Sequence, residues 1–319
     1  MDIASYRRLG KTDLHIAPLI FGGNVFGWTV DEKRSFELLD AFSDAGFNSI
    51  DTADIYSRWF PGNKGGESET IIGKWLKHKG NRDRMVIATK VGSDMGKGHH
   101  DVSKNYILKA VEDSLTRLQT DYIDLYQTHR DNEATPVEET LEAYDLLVKQ
   151  GKVRWIGASN LSPDRLTASL EASEKYHYPV YQTLQPEYNL YHRERFEKNY
   201  LAICKERELS VLTYYSLASG FLSGKYQSMA DLGKSVRGKG LKKYMDDRGF
   251  RILDALSKVS SNHQTTQATV ALAWLLHQPT VVAPIASATS TEQLDSLIAA
   301  ASLTLSSEDV QVLNEASAW

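Results

Sequence analysis

The chain has 319 residues, with 37 Lys and Arg against 41 Asp and Glu, so its formal net charge is −4. A hydrophobic share of 41 % and a charged share of 24 % exclude a disordered, collagenous or disulfide-built chain. The near balance of charge carries no nucleic-acid or membrane-surface signature, yet it leaves room for a local basic site facing a phosphorylated ligand.

Taken in chain order, MDIASYRRLGKTDLHIA lacks the apolar core of a signal peptide. YRRLG and LHIA flank KTD and read as a small hairpin. LIFGG at 19–23 is a strand, and 31–46 is a helix with Phe36, Leu39, Ala41 and Phe42 on one face and Gly46 as its stop. FNSID at 47–51 and MVIATKV at 85–91 are strands, separated by a helix over 67–80. A helix over 103–119 has Ser103 as its N-cap. YIDLYQT at 122–128 leads to a helix over 136–151, with Pro136 in its first turn and Gly151 just past its end. VRWIGAS at 153–159, VYQTLQ at 180–185 and SVLTYYS at 210–216 are strands, with helices over 162–177 and 193–208 between them. A Gly- and Lys-rich loop spans 217–246. Helices near 247–261 and 265–278, a strand at 280–286 and helices over 291–301 and 306–317 complete the chain.

Strict alternation of eight strand–helix pairs predicts parallel strands joined by crossovers. Eight units match the (β/α)8 TIM barrel, here with an N-terminal β-hairpin as its floor and extra C-terminal helices. An open doubly wound sheet is the rival, but FGGNVFGW after the first strand does not fit G-x-G-x-x-G. With no linker and no break in composition, 1–319 reads as a single barrel domain. No apolar run approaches the ~18 residues of a membrane span, so a soluble cytoplasmic protein is expected. Cys204 is the only cysteine, which excludes an internal disulfide and a Cys-cluster metal site; it is expected as a buried thiol. His99 and His100 sit in a polar loop, and no metal-ligand cluster ends a strand, so no metal is expected.

A barrel gathers its reactive groups at the C-terminal ends of its strands. Here those ends carry Asp51 with Tyr56 beyond it, Lys90, His129, Ser159 with Asn160, Gln185, and Tyr215 with Ser216. A lysine inside a barrel needs a counter-charge, and Asp51 on the neighbouring strand supplies one. A phenol beside that ammonium is expected to have its pKa lowered and to serve as a general acid. A neutral His129 would hydrogen-bond the substrate oxygen. Protonating an oxygen that gains negative charge is what hydride transfer to a carbonyl requires, and the hydride must come from a cofactor. Asn160 and Gln185 suit a carboxamide, and Tyr215 suits stacking on a flat ring. The loop at 217–246, with Lys234, Arg237, Lys239, Lys242 and Lys243, reads either as solvated or as a lid facing phosphate. Trp28, Trp59 and Phe60 read either as walls of a substrate pocket or as packing under loops.

YRRLGKTDLHIAPLIFGG, FNSIDTADIYSRWF, MVIATKVG, DYIDLYQTHRDN, VRWIGASN, TLQPEYNL and TYYSLASGFLSGKY resemble successive segments of the aldo-keto reductases, including the branch related to potassium-channel β subunits. The resemblance implies a tetrad of Asp51, Tyr56, Lys90 and His129, with Tyr56 as proton donor. It implies Ser159, Asn160 and Gln185 around a nicotinamide amide, Tyr215 stacked on its ring, and Ser216, Leu217, Gly220 and Leu222 along the pyrophosphate path. It also implies NADP(H) as cofactor and a small carbonyl or alcohol substrate. After the last strand many relatives carry a Gly, an Arg, a Gln and then an acid and an Asn. This chain has Ser287, Thr289, Gln293, Ser296 and Leu297, so Gln293 alone remains as an adenine contact and NAD(H) stays open. A Schiff-base lyase using Lys90 is a rival, opposed by the counter-charge of Asp51. A non-catalytic nicotinamide-sensing module is a second rival, opposed by the complete tetrad.

Overall fold

The computed structural model describes residues 6–234 and 238–319. Arg237 and the side chain of Lys239 lie outside what it describes. Two short strands, β1 (Arg7–Arg8) and β2 (His15–Ile16), pair antiparallel as the expected hairpin. Eight parallel strands then close into a barrel: β3 (Ile20–Gly22), β4 (Ser49–Asp51), β5 (Val86–Val91), β6 (Ile123–Thr128), β7 (Val153–Ser159), β8 (Thr183–Gln185), β9 (Ser210–Thr213) and β10 (Val281–Ala286). Strand order follows chain order, and β10 returns to pair with β3. The protein is a (β/α)8 TIM barrel.

Period-two alternation sorts the strand side chains. On β5, Val86 and Ala88 face an inner cluster, while Ile87 and Val91 face the surrounding helices. Leu9, Leu14 and Ile16 of the hairpin segment complete the inner cluster with Ile20, Leu125 and Ile285. Each such burial contributes roughly 1.5–3 kcal/mol. The hairpin meets the N-terminal ends of the strands: Gly10 N donates to Ser210 Oγ at 2.7 Å, and Trp155 Nε1 donates to Asp13 Oδ1 at 2.7 Å. The floor is thus apolar and plugged, so polar groups collect at the opposite mouth.

Eleven helices surround the strands among the described residues: α1 (Glu32–Asp44), α2 (Glu67–Lys79), α3 (Lys104–Leu118), α4 (Val137–Lys149), α5 (Pro163–Tyr176), α6 (Glu194–Asn199), α7 (Leu201–Glu206), α8 (Asp247–Asn262), α9 (Gln267–Leu276), α10 (Thr291–Ala299) and α11 (Ser307–Ala316). Gly46 does end α1. Its φ of 88° is left-handed, and Gly46 N to Ser43 O with Phe47 N to Phe42 O closes the paired C-terminal bonds. The buried stripe of α1 is Ser35, Leu38, Leu39 and Phe42, whereas Phe36 and Ala41 lie at its edge.

Three local expectations change. Ser103 holds the N-cap position of α3, but its hydroxyl donates to Asp101 Oδ1 and caps nothing. Pro136 is the N-cap of α4 rather than part of its first turn. The helix read over 193–208 is two helices with a kink at Tyr200, whose buried hydroxyl donates to Leu161 O at 2.8 Å. The segment 217–246 is neither free nor featureless. It holds short 3-10 turns at Ala218–Ser223, Met229–Lys234 and Gly238–Tyr244. Phe221, Leu222, Tyr226, Leu241 and Tyr244 are buried along it, and Tyr191 OH donates to Asp246 Oδ2 at 2.7 Å at its end. Lys234 is engaged by Asp231 at 2.7 Å, while Lys242 and Lys243 are exposed. Cys204 is buried on α7, which pushes its thiol up to about 12. Among the described residues no helix is long and apolar enough to cross a membrane, and no cluster of His, Cys, Asp or Glu is arranged to hold a metal ion.

Candidate active site

Lumen-facing parity builds the site. Lys90 lies two residues beyond Ala88 on β5, and Gln127 lies two beyond Leu125 on β6, in register with Lys90. Asp51 ends β4. The same alternation that points Ala88 and Leu125 into the apolar floor therefore points Lys90 and Gln127 into a polar layer above it.

Lys90 is fully buried, and each of its three N–H groups has a partner. Its Nζ lies 2.5 Å from Asp51 Oδ2, 2.7 Å from Thr52 O and 3.5 Å from Tyr56 OH. The other oxygen of Asp51 accepts from Gln185 Nε2 at 2.8 Å and from Gln127 Nε2 at 3.1 Å. Burial pulls the ammonium down, but Asp51 and Tyr56 outweigh it and hold Lys90 above the ordinary lysine value.

Tyr56 stands edge-on to His129, with ring centroids 5.8 Å apart. Its phenol departs from the expected lowering. Burial pushes it above the ordinary tyrosine value, and the opposing pull of Lys90 only reduces that rise. The physical reason is that the ammonium is already neutralised by Asp51, whose own charge acts on the phenol in the opposite sense. Tyr56 therefore holds its proton firmly. Burial, joined by Lys90 and Arg130, holds His129 well below the ordinary histidine value, so its imidazole is neutral at neutral pH. Ser93 Oγ lies 2.9 Å from His129 Nδ1 and fixes the ring.

Ser159, Asn160 and Gln185 form one network with these groups. Asn160 Nδ2 donates to His129 O at 3.0 Å and to Ser159 Oγ at 2.8 Å, and Ser159 Oγ donates to Gln185 O at 2.8 Å. Tyr214 OH donates to Asn160 Oδ1 at 2.9 Å, which leaves that oxygen one further acceptor position. Tyr215 is 52 % exposed at the mouth, and Asn189 Nδ2 holds its carbonyl at 2.9 Å. Ser216 and Leu222 are buried, and the Ser216 hydroxyl donates to Ile285 O at 2.8 Å, so only their main chain can meet a ligand. Leu217 and Gly220 flank Ala218 and Ser219, and the three residues 218–220 all have left-handed φ. Gln293 is exposed at the start of α10, where its Oε1 accepts from Thr289 N at 3.0 Å.

Trp59 bridges Tyr56 and Trp28, at ring separations of 5.4 and 5.7 Å. These rings make a continuous wall beside the phenol. Phe60 is exposed and has no ring contact with that wall.

Gln127, Ser93, Thr52 and Tyr214 were not singled out from sequence. For Gln127 a signal exists, since it shares the parity of Leu125 on β6. Asp54 was also passed over. It is buried with both carboxylate oxygens unpartnered. Burial first, and then the nearby carboxylate of Glu69, push it up to about 8. Such a group keeps its proton in the folded state while the unfolded chain loses it near the ordinary value of 3.8. Its contribution to stability is full below that value and is lost as pH rises towards about 8. Asp54→Asn should therefore raise thermal stability at mildly alkaline pH, with the gain over wild type shrinking as the pH falls towards the unfolded value. A melting series across that range checks it, and a gain independent of pH would refute the assignment.

The family profile described as "Aldo/keto reductase family" matches residues 18–318. The chain is 36 % identical to "Uncharacterized oxidoreductase YrpG" of Bacillus subtilis (strain 168), over 97 % of this chain and 95 % of that protein. It is 35 % identical to "Aldo-keto reductase YhdN" of the same organism, over 92 % and 86 %. It is 30 % identical to "Probable voltage-gated potassium channel subunit beta" of Oryza sativa subsp. japonica, over 91 % and 88 %. A closed barrel with this polar layer at its mouth, matched by that profile over nearly its whole length, means that the chain belongs to the aldo/keto reductase family of oxidoreductases.

Proposed function

We propose that the protein is an NAD(P)H-dependent carbonyl reductase in which Tyr56 delivers the proton to the substrate oxygen. The observation that carries this reading is the contact of the Tyr56 hydroxyl with a fully buried, charge-paired lysine. Asp51 holds Lys90 as an ammonium and aims it. Tyr56, protonated at rest, gives up its proton only as negative charge develops on the oxygen beside it, when the ammonium stabilises the phenolate left behind. The neutral imidazole of His129 hydrogen-bonds the same oxygen and sets the carbonyl plane. The reverse reaction uses the same groups in the opposite sense.

The reduced nicotinamide supplies the hydride when bound. The groups that fit it are the exposed ring face of Tyr215 for stacking and the remaining acceptor position of Asn160 Oδ1 for its carboxamide, with the main chain of 217–220 near the pyrophosphate. Gln185 contributes through its neighbours: both N–H groups of its amide are engaged, by Asp51 Oδ1 and Gln127 Oε1, and its main-chain carbonyl accepts from Ser159 Oγ, which in turn accepts from Asn160. Thr289 stands where many relatives carry an arginine, and its hydroxyl donates to Gln293 Oε1 at 3.2 Å. With no guanidinium there, we expect NADPH and NADH to bind within about tenfold of each other.

Titration by quenching of intrinsic fluorescence tests this, since Trp28 and Trp59 line the mouth. Both nucleotides should quench, and an aldehyde should then drain the absorbance of the reduced form. Absence of quenching by either nucleotide would overturn the proposal. A Schiff-base role for Lys90 is not favoured, because three engaged N–H groups leave no lone pair for attack.

A further inference from the structure

A neutral imidazole carries one N–H, so it can donate from Nδ1 or from Nε2 but not from both. Burial, Lys90 and Arg130 keep His129 neutral. Which nitrogen holds the proton is then decided by the group that meets the other one. In His129 that group is Ser93, whose Oγ lies 2.9 Å from Nδ1. The ring is half-buried, and its Nε2 has no hydrogen bond with any described residue.

The ends of β5 and β6 come together to make this contact. His129 N donates to Val91 O at 2.8 Å, one residue past the end of β6. Gly92 follows Val91 with a left-handed φ of 106°. A β-carbon there would stand 2.7 Å from Val102 Cγ1 and 2.9 Å from Arg130 O, so a glycine lets the chain pass this close and bring Ser93 onto the His129 ring. Ser93 is itself buried, and its hydroxyl meets no described residue other than His129. If Nδ1 held the ring proton, Ser93 Oγ would accept it, and the hydroxyl hydrogen would be left buried without an acceptor, which is costly. When the hydroxyl donates to the Nδ1 lone pair, both groups are satisfied. The ring proton then sits on Nε2, the nitrogen that the protein leaves free.

We propose that Ser93 is a positioning residue that fixes the tautomer of His129: its hydroxyl donates to Nδ1, which makes Nε2–H the donor to the substrate carbonyl oxygen. This rests on the carbonyl-reductase reading above. The oxygen that gains charge then meets two donors, the Tyr56 hydroxyl and the His129 Nε2–H. With the other tautomer an Nε2 lone pair would face that oxygen and oppose the charge as it develops. Ser93 touches neither substrate nor cofactor in this scheme, and its effect passes entirely through the imidazole.

The first test leaves the protein unaltered. In protein labelled with 15N-histidine, long-range proton–nitrogen correlation spectra distinguish a ring nitrogen that bears a proton from one that does not, and the His129 signals are those lost in His129→Gln. At neutral pH the wild type should show a bare Nδ1 and a protonated Nε2. In Ser93→Ala the Nδ1 signal should move towards that of a mixture of tautomers, and in Ser93→Thr, which keeps the hydroxyl, it should return to the wild-type position. With benzaldehyde as substrate, kcat should fall by about tenfold in Ser93→Ala, less than the roughly 10²- to 10³-fold that outright loss of an oxyanion donor costs. It should recover in Ser93→Thr, while NADPH affinity, read by fluorescence quenching, stays within about twofold of wild type in both. A wild-type ring with its proton on Nδ1 overturns the inference whether or not Ser93→Ala folds. Wild-type kcat in a folded Ser93→Ala overturns it as well. Failure of the wild type to reduce any carbonyl would instead remove the reductase reading, and the spectrum would still decide the tautomer.

Discussion

Tyr56→Phe should lower kcat/KM for carbonyl reduction by about 10²- to 10⁴-fold, the range a positioned general acid contributes. The change deletes one oxygen and leaves the ring that packs edge-on against His129 and Trp59. The aromatic wall and the network around Asn160 do not depend on the hydroxyl, so NADPH should still quench fluorescence with an affinity within about twofold of wild type. The loss should fall on kcat rather than on KM, because the proton is needed only as charge develops on the oxygen. In the wild type the activity should persist well into the alkaline range, since burial holds the phenol above its ordinary value. Turnover retained in Tyr56→Phe would move the acid to another group, with the ring of His129, edge-on to Tyr56, the first to replace in turn.

The barrel was legible in the chain because each strand is a short apolar run and each helix an amphipathic one, and these two periods rarely mimic each other. The boundaries that moved did so for tertiary reasons. A helix pattern runs unbroken through Tyr200, and nothing local marks the kink; the bond from its hydroxyl to Leu161 exists only once α7 docks. Apolar residues in 217–246 were hidden among Gly and Lys, yet Phe221 stacks on Tyr244 at 5.3 Å and folds the segment onto itself. At the site, residue types at strand ends identified Asp51, Lys90 and His129, because charge inside a barrel stands out against its apolar strands. Gln127 and Ser93 do not stand out. Gln127 matters through its bonds to Asp51 and Gln185 on other strands, and Ser93 through its bond to His129 just past β6, and strand register is not written in either segment alone. The direction of the Tyr56 shift was not legible either. It depends on how much water reaches the phenol and on Asp51 having already neutralised the ammonium.

That neutralisation makes Asp51 a position where a conservative substitution should cost much stability. Asp51→Asn preserves shape and one acceptor for the amides of Gln127 and Gln185, but leaves Lys90 buried with a neutral partner. Breaking a buried pair from one side costs about 3–5 kcal/mol, so the variant should unfold at markedly lower temperature and denaturant concentration. The pH dependence separates this from general damage. In the wild type Lys90 is held above its ordinary value, so its contribution is fully present below that value and is lost only as pH rises through the folded one. In the variant, burial acts unopposed by a carboxylate and the folded value drops below the unfolded one. The sign then reverses: the variant is most destabilised at neutral pH and recovers towards alkaline pH as the lysine sheds its proton. Urea midpoints measured from neutral to alkaline pH should therefore converge for the two proteins. Parallel curves would mean that Asp51 supports the barrel by its hydrogen bonds and not by its charge, and would withdraw the reason for reading Lys90 as a fixed ammonium beside Tyr56.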